Sequence, residues 1–321
     1  TIPSSFGKFS SAAAVGNLAT ALQRLWGLTR LAFVHKDFRC LCDREHQNNL
    51  VDVGALLLTS ASAGDSTSVT QAVVESRERA TVVLGPPGTG KSRLISHVLR
   101  APNILAAGRA LCIAPSNAAV ESLADKLGNL CLVVGNADNL GPRATERMFV
   151  HAVPEVTERR AAWERVRVVL ATPFAAAMAP RRILDDLEDG SDEHIEFPTV
   201  IIDEGAAMLA IDAIAACTYG CQRLIVVGDP RQLPPYTGTP RSTSGLSAMA
   251  AFTCKSSNST MKRSADIFFL DTQYRMHPTI AAFPSLQFYD GRLHTGLTPE
   301  ESPAGFPWPD PANPVCFVPM H

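Results

Sequence analysis

The sequence points to an α/β protein, a parallel sheet flanked by helices and built around a phosphate-binding loop, on three grounds. Thr81-Val82-Val83-Leu84 is an apolar run that breaks into Gly85-Pro86-Pro87-Gly88-Thr89-Gly90-Lys91-Ser92 and then into a helical pattern. That is the strand, loop and helix order such a loop requires. The further largely apolar stretches at 110–114, 166–171, 199–202 and 223–227, whose polar residues stand at or next to their first position, lack the alternation of a half-exposed strand, as parallel strands covered on both faces do. Several close on small polar or acidic residues, and the C-terminal ends of strands are where α/β sheets bind ligands.

The loop matches G-x-x-x-x-G-K-S without a mismatch. Gly85, Pro86, Pro87, Gly88, Thr89 and Gly90 form the loop, whose backbone N–H groups, supplied by its non-proline residues together with those of the helix N-terminus, point at phosphate oxygens. Lys91 adds a point charge at the β/γ end, and the Ser92 hydroxyl can ligate Mg²⁺. The expected ligand is a nucleoside triphosphate with Mg²⁺.

With 321 residues the chain has room for about two domains. Lys plus Arg number 29 against 31 Asp plus Glu, so a nucleic-acid surface has to be a local basic groove rather than a global charge. Eight scattered cysteines in a chain this large and apolar read as reduced thiols of an intracellular protein. No uninterrupted apolar run reaches about eighteen residues, so no membrane partner is expected. The N-terminus lacks a signal-peptide layout, and a start at Thr1 without Met suggests a fragment or a processed product.

Residues 1–65 read as an N-terminal accessory segment, with a helix over 18–34 and a second apolar stretch at 50–58. Cys40, Cys42 and His46 lack the second ligand pair of a zinc site and read as ordinary thiols. Small polar residues at 61–68 suggest a linker, followed by a short helix that carries Gln71 and runs to Arg79. A Gln ahead of the loop can bend back over a nucleotide, where its amide reads the donor and acceptor of an adenine edge. Read alone, it is a solvated helix residue.

Beyond the loop a helix continues over 94–99, and the strand at 110–114 ends in Pro115-Ser116-Asn117 before a helix over 118–127. Ser116 or Asn117 suits its N-cap, a role compatible with a second one. Residues 131–165 read as a small insertion that ends in a charged helix over 156–165 with a solvated face. The strand at 166–171 ends in Thr172-Pro173, and the acidic stretch 185–196 reads as a surface loop.

The strand at 199–202 ends at Asp203-Glu204-Gly205-Ala206. A carboxylate pair directly after a buried strand is the partner a phosphate loop needs. Asp203 can hold Mg²⁺ and Glu204 can accept a proton from an attacking water. The strand at 223–227 closes on GDPRQLPP, whose Gln232 is suited to orient that water or sense a γ-phosphate; Cys217 and Cys221 before it read as core thiols. Residues 237–264 suggest an exposed loop around a short helix, and 267–270 a further strand. Arg275 leaves the end of that strand and can reach across a cleft as an arginine finger, although read without context it is a surface Arg. Residues 283–289 are apolar and aromatic, prolines after Thr298 prevent regular helix, and 315–318 is strand-like.

Taken in order, GPPGTGKS at 85–92, APSNAAV at 114–120, DEGA at 203–206, GDPRQLPP at 228–235 and QYRMHP at 273–278 resemble motifs I, Ia, II, III and IV of superfamily 1 helicases. The resemblance is to the 5′-to-3′ branch that holds the nonsense-mediated-decay RNA helicase family, which FPSLQFYDGRL at 283–293 fits too. It implies a RecA-like fold, ATP with Mg²⁺ as cofactors, ATP hydrolysis, and single-stranded RNA or DNA as partner. By position it implies that Gln71 reads adenine, Tyr274 stacks on it, and Lys91 and Ser92 take phosphate and Mg²⁺. Asp203 becomes the metal ligand, Glu204 the catalytic base, Gln232 the γ-phosphate sensor and Arg275 the first arginine finger. Ser116, Asn117 and Thr172 hold the backbone of the single strand and leave its bases largely unread.

Helicases of this kind close two RecA-like domains on the nucleotide. The expected division here is 1–65 as accessory segment, 66–270 as first RecA-like domain and 271–321 as the beginning of the second. Nothing resembling the later motifs precedes His321, so the remaining second motor domain is expected downstream or supplied elsewhere. Two readings stay open: a helicase motor domain, favoured by the intact Glu204, and a nucleotide-binding interaction module without helicase activity, favoured by the missing half. RNA and DNA are not distinguished by backbone-holding residues of these types.

Overall fold

The computed structural model describes residues 62–188, 194–236, 247–250, 265–301 and 314–315. One sheet contains β1 (Ser62–Gly64), β2 (Ala80–Leu84), β3 (Ala110–Ile113), β4 (Cys131–Val134), β5 (Val168–Ala171), β6 (Thr199–Ile202), β7 (Arg223–Gly228) and β8 (Ala265–Leu270). Their order is β1-β8-β2-β7-β6-β3-β5-β4, and every pair is parallel. The helices are α1 (Ser66–Glu75), α2 (Lys91–Val98), α3 (Pro102–Ala106), α4 (Asn117–Leu127), α5 (Pro142–Thr145), α6 (Phe149–Ala152), α7 (Val156–Arg165), α8 (Pro173–Ala176), α9 (Ala179–Leu187), α10 (Ala210–Cys217) and α11 (Pro278–Phe288). None of these is long and apolar enough to cross a membrane.

Successive side chains of a strand point to opposite faces, so an apolar run without alternation loads both. Val82, Leu84, Leu111, Ile113, Val200, Ile202, Leu224 and Val226 belong to one core cluster. Val83, Cys112, Ile201, Ile225 and Val227 belong to the other. Each such side chain contributes about 1.5–3 kcal/mol on burial, and the buried polar residues within these strands are two threonines, Thr81 and Thr199. The topology also inserts β7 between the loop strand β2 and the acidic strand β6. Both therefore present their C-terminal ends to one cleft.

Several expectations are corrected. Residues 62–64 form edge strand β1 on β8 where a linker was expected, and Asp65 caps α1 by accepting from Ser68 N at 2.9 Å. Helix α1 ends at Glu75, short of Arg79, where the Ser76 hydroxyl donates to Asp266 Oδ2 at 2.7 Å. The start of the expected insertion is β4, whose four buried apolar residues pair with β5. The charged helix does not expose all its charges: Arg159 is buried and donates to the carbonyls of Val153, Asp186 and Pro154 at 3.0, 2.8 and 3.2 Å. The acidic stretch begins inside α9, and Ile195 and Phe197 are buried.

Beyond β8 the chain starts a second, two-stranded parallel sheet, β9 (Thr272–Gln273) with β10 (His294–Thr295), joined through α11. Residues 1–61, 237–246, 251–264 and 316–321 carry the expected helix over 18–34, the Cys40, Cys42 and His46 group, most of the loop after Thr237 and most of the last strand. These lie outside the described residues.

Candidate functional site

The chain leaves β2 at Leu84, and Gly85 N–H at once donates to the Gly228 carbonyl at the end of β7 (2.8 Å). Buried Thr89 closes the loop on itself through its hydroxyl, 2.7 Å from the Pro86 carbonyl. Helix α2 then begins at Lys91 with no side-chain cap. Its first N–H groups and the positive end of its dipole are thus available to an anion. Lys91 folds back over the loop, donating to the Gly85 carbonyl at 2.9 Å and lying 3.3 Å from Glu204 Oε1.

The acid pair is set by the end of β6. Asp203 N–H donates to Ile113 O at 2.8 Å and so extends the ladder, and its side chain is buried. Glu204 has φ +51°, a left-handed conformation unusual for a residue with a side chain, and it turns the chain so that Gly205 N–H meets Val227 O at 2.8 Å. Only glycine fits next: a Cβ at Gly205 would stand 2.3 Å from Val226 Cγ1. The turn aims Glu204 at Lys91 while Asp203 stays behind it.

Burial, and then the adjacent Glu204 charge, push the Asp203 carboxyl up to about 6, against the opposing pull of Lys91. A buried carboxylate held this uneasily is suited to a divalent cation, which would reverse the charge balance. Among the described residues no group of three or more His, Cys, Asp or Glu forms a ready-made metal cluster. Mg²⁺ needs none, because it is usually held by one or two carboxylates, phosphate oxygens and water. Ser92 and Asp203 fit that pattern.

The opposite wall comes from the turn after β9. Tyr274 N–H donates to Gly88 O at 2.9 Å. Fully buried Gln273 shapes the turn, its Oε1 accepting from Arg275 N (2.8 Å) and Met276 N (2.7 Å) and its Nε2 donating to Met276 O (2.8 Å) and to Thr295 Oγ1. From β7, Gln232 reaches the cleft while its Nε2 donates to Asp229 Oδ2 at 2.8 Å.

The resulting cleft has a volume of about 620 Å³ and is lined by Pro86, Pro87, Gly88, Thr89, Gly90, Lys91, Ser92, Arg93, Lys126, Glu204, Gln232, Tyr274 and Arg275. Lys91, Arg93, Lys126 and Arg275 face a single lining carboxylate, a balance that suits a polyphosphate.

Most of the predicted residues meet in this cleft. Gly85 lies just before the lining segment, and Asp203 sits behind Glu204. Gln71 is not on the lining; it is exposed on α1 and hydrogen-bonded to Glu75 Oε1. Ser116, Asn117 and Thr172 are likewise apart from it, at the ends of β3 and β5. Ser116 caps α4 by accepting from Ala119 N at 3.2 Å, and Thr172 precedes α8 without a side-chain cap. Sequence reasoning missed Arg93, Lys126 and the role of Gln273. Arg93 and Lys126 had no signal beyond positive charge on a helix, while Gln273 stood inside a quoted motif and is marked by its burial.

Two family models match the chain, both described as an AAA domain, one over residues 69–238 and one over 254–321. The curated protein "Helicase SEN1" of Saccharomyces cerevisiae is 42% identical over 102 residues, covering 32% of this chain and 4% of that protein. "Putative ATP-dependent RNA helicase ECM32" of the same yeast is 26% identical over 282 residues, covering 74% of this chain and 23% of that protein. The "Regulator of nonsense transcripts 1 homolog" of Drosophila melanogaster is 26% identical over 271 residues, covering 74% and 22%. The chain thus spans less than a quarter of the length of each of these relatives. A solved structure titled "Complex structure of Arterivirus nonstructural protein 10 (helicase) with DNA" aligns at 16% identity with a TM-score of 0.40, over 68% of this chain and 42% of that one.

Proposed function

This chain belongs to the AAA-domain family, its relatives are superfamily 1 helicases, and on that premise we propose that it is the first RecA-like motor domain, with the beginning of a second, of an ATP-dependent helicase. Its partner in this reading is single-stranded RNA or DNA. The observation that carries the proposal is the cleft in which Lys91 and Glu204 lie 3.3 Å apart beneath Gln232 and Arg275.

The division of labour follows from position. The α2 N-terminus and Lys91 bind the β- and γ-phosphates of ATP, with Arg93 and Lys126 adding positive charge at the rim. Ser92 and Asp203 would hold Mg²⁺, which when bound neutralises charge on the phosphate oxygens. Glu204 accepts a proton from the water whose oxygen bonds to the γ-phosphorus as the bond to the ADP oxygen breaks. Gln232 orients that water, and Arg275 stabilises the charge spread over the transferring group. Tyr274, and Gln71 if it turns from Glu75, take the adenine. Ser116, Asn117 and Thr172 hold the backbone of the strand. An intracellular setting goes with this reading and with the free, buried thiols of Cys112, Cys131, Cys217 and Cys221.

The test is phosphate release by the full-length protein with and without single strands. Stimulation by the strand is expected, and the double substitution Ser116→Ala with Thr172→Ala should raise the strand concentration needed for half-maximal stimulation. Equal rates with and without strand contradict the motor reading and leave a nucleotide-binding module.

A further inference from the structure

Residues 283–293 resemble a helicase motif but play no part in the cleft described so far. Their last buried aromatic residue gives them one. Tyr289 follows α11 and is 3% exposed, with its ring in the same core cluster as Phe269 and Leu293. A left-handed turn at Asp290 and Gly291 holds it there, with Gly291 N–H on Ser285 O (2.9 Å) and the Ser285 hydroxyl on Leu293 O (2.7 Å). The Tyr289 hydroxyl donates to Asp229 Oδ2 at 2.6 Å.

Asp229 is 2% exposed and is the hub of the segment that carries Gln232. The oxygen that accepts from Tyr289 also accepts from Gln232 Nε2 at 2.8 Å, while Oδ1 accepts from Arg231 N at 3.0 Å and the Asp229 carbonyl from Gln232 N at 3.0 Å. An ionised carboxylate only accepts, so the amide must turn its nitrogen to Asp229. Gln232 Oε1 is thereby left as the group that can accept from a water O–H. Burial and the Asp229 charge push the Tyr289 hydroxyl far above its ordinary range, so it stays a donor at every working pH.

We infer that Tyr289 is a positioning residue for the hydrolytic step, holding Asp229 so that Gln232 keeps the amide orientation that receives the attacking water. Tyr289 belongs to the same β9, α11, β10 unit as Arg275. Docking of that unit therefore places the arginine and fixes the glutamine together. The inference rests on the ATPase reading above.

The test is a double-substitution cycle in strand-stimulated ATP hydrolysis by the full-length protein, using Tyr289→Phe, Gln232→Ala and the pair. Loss of the hydroxyl should lower kcat about tenfold with KM for ATP within about twofold, as expected for one hydrogen bond to a charged group. The double variant should be no slower than Gln232→Ala alone. A side chain that only supports the fold would give multiplied effects, and that result overturns the inference, as does an unchanged kcat in Tyr289→Phe. Affinity for ADP with aluminium fluoride, which mimics the transition state, should fall in Tyr289→Phe while affinity for ADP alone does not. A loss shared equally by both ligands also counts against it. If the unsubstituted protein itself shows no turnover, the ATPase reading fails and takes this inference with it. Turnover with multiplied effects sinks the inference alone.

Discussion

The backbone N–H of Tyr274 is hydrogen-bonded at 2.9 Å to the carbonyl of Gly88, so the turn that presents Arg275 is tied directly to the phosphate loop. Gly88 has φ +78°, and a Cβ there would stand 2.6 Å from Arg275 Cβ and 3.3 Å from Arg275 N. Neither neighbour is the loose end of a long side chain, so contact can be relieved only by moving the turn.

Gly88→Ala should therefore destabilise the protein by about 1–3 kcal/mol, as overpacking does, and should weaken ATP binding as well. Denaturant midpoints and equilibrium binding of a labelled ATP analogue check both parts. An alanine variant with unsubstituted stability and affinity would show that the two walls do not depend on this contact.

Asp203 makes stability depend on pH in a direction opposite to most carboxylates. Its folded pKa, about 6, lies above the ordinary value near 4, so the folded state holds the proton more tightly than the unfolded one. The group's penalty is fully present above pH 6, amounts to at most about 3 kcal/mol, and fades as pH falls towards 4. Asp203→Asn should raise unfolding free energy at pH 7.5 and lose that advantage near pH 4, by urea titration at each pH. Mg²⁺-dependent nucleotide affinity of the unsubstituted protein should fall below pH 6, where a proton competes for the carboxylate.

Arg159→Met should cost about 2–4 kcal/mol of stability, because it leaves the carbonyls of Val153, Pro154 and Asp186 without their donor. Arg159→Lys should recover only part of this, since an ammonium cannot match the planar fork. Residue 159 is not part of the cleft lining, so ATP affinity in both variants should stay within about twofold of the unsubstituted value.

The parts of this molecule that were legible in the sequence are those where one physical requirement selects residue types over several consecutive positions. The central strands had to be largely apolar on both faces, and the loop and the acid pair had to bring N–H groups, one ammonium and two carboxylates to the strand ends that border one cleft. Strand β1 was not legible, because Ser62-Ala63-Gly64 carries no β-forming side chain and is a strand only through its pairing with β8. Arg159 was hidden because most of its partners are backbone carbonyls, which no side-chain pattern advertises, and its one carboxylate partner, Glu188 at 3.4 Å, lies 29 residues away at the far end of another helix. Lys126 enters the cleft by the packing of α4 near the loop, and Gln71 forms a local bond to Glu75 that its motif position gives no hint of. Tyr289 and Asp229 stood in separate quoted motifs, and only the fold puts them 2.6 Å apart.

The Lys91 and Glu204 pair, as the proposed core of an ATP-hydrolysing site, is tested most directly by comparing ATP affinity and strand-stimulated phosphate release in the unsubstituted full-length protein, Lys91→Ala and Glu204→Gln. Glu204→Gln should bind ATP at least as tightly, because it frees Lys91 from a carboxylate 3.3 Å away. Its phosphate release should be slower by about 10²–10⁴-fold, the usual contribution of a general base. Lys91→Ala should lose about 10–100-fold in ATP affinity, the worth of a hydrogen bond from a charged group. Phosphate release from Glu204→Gln at the unsubstituted rate, with ATP equally well bound, would contradict the assignment.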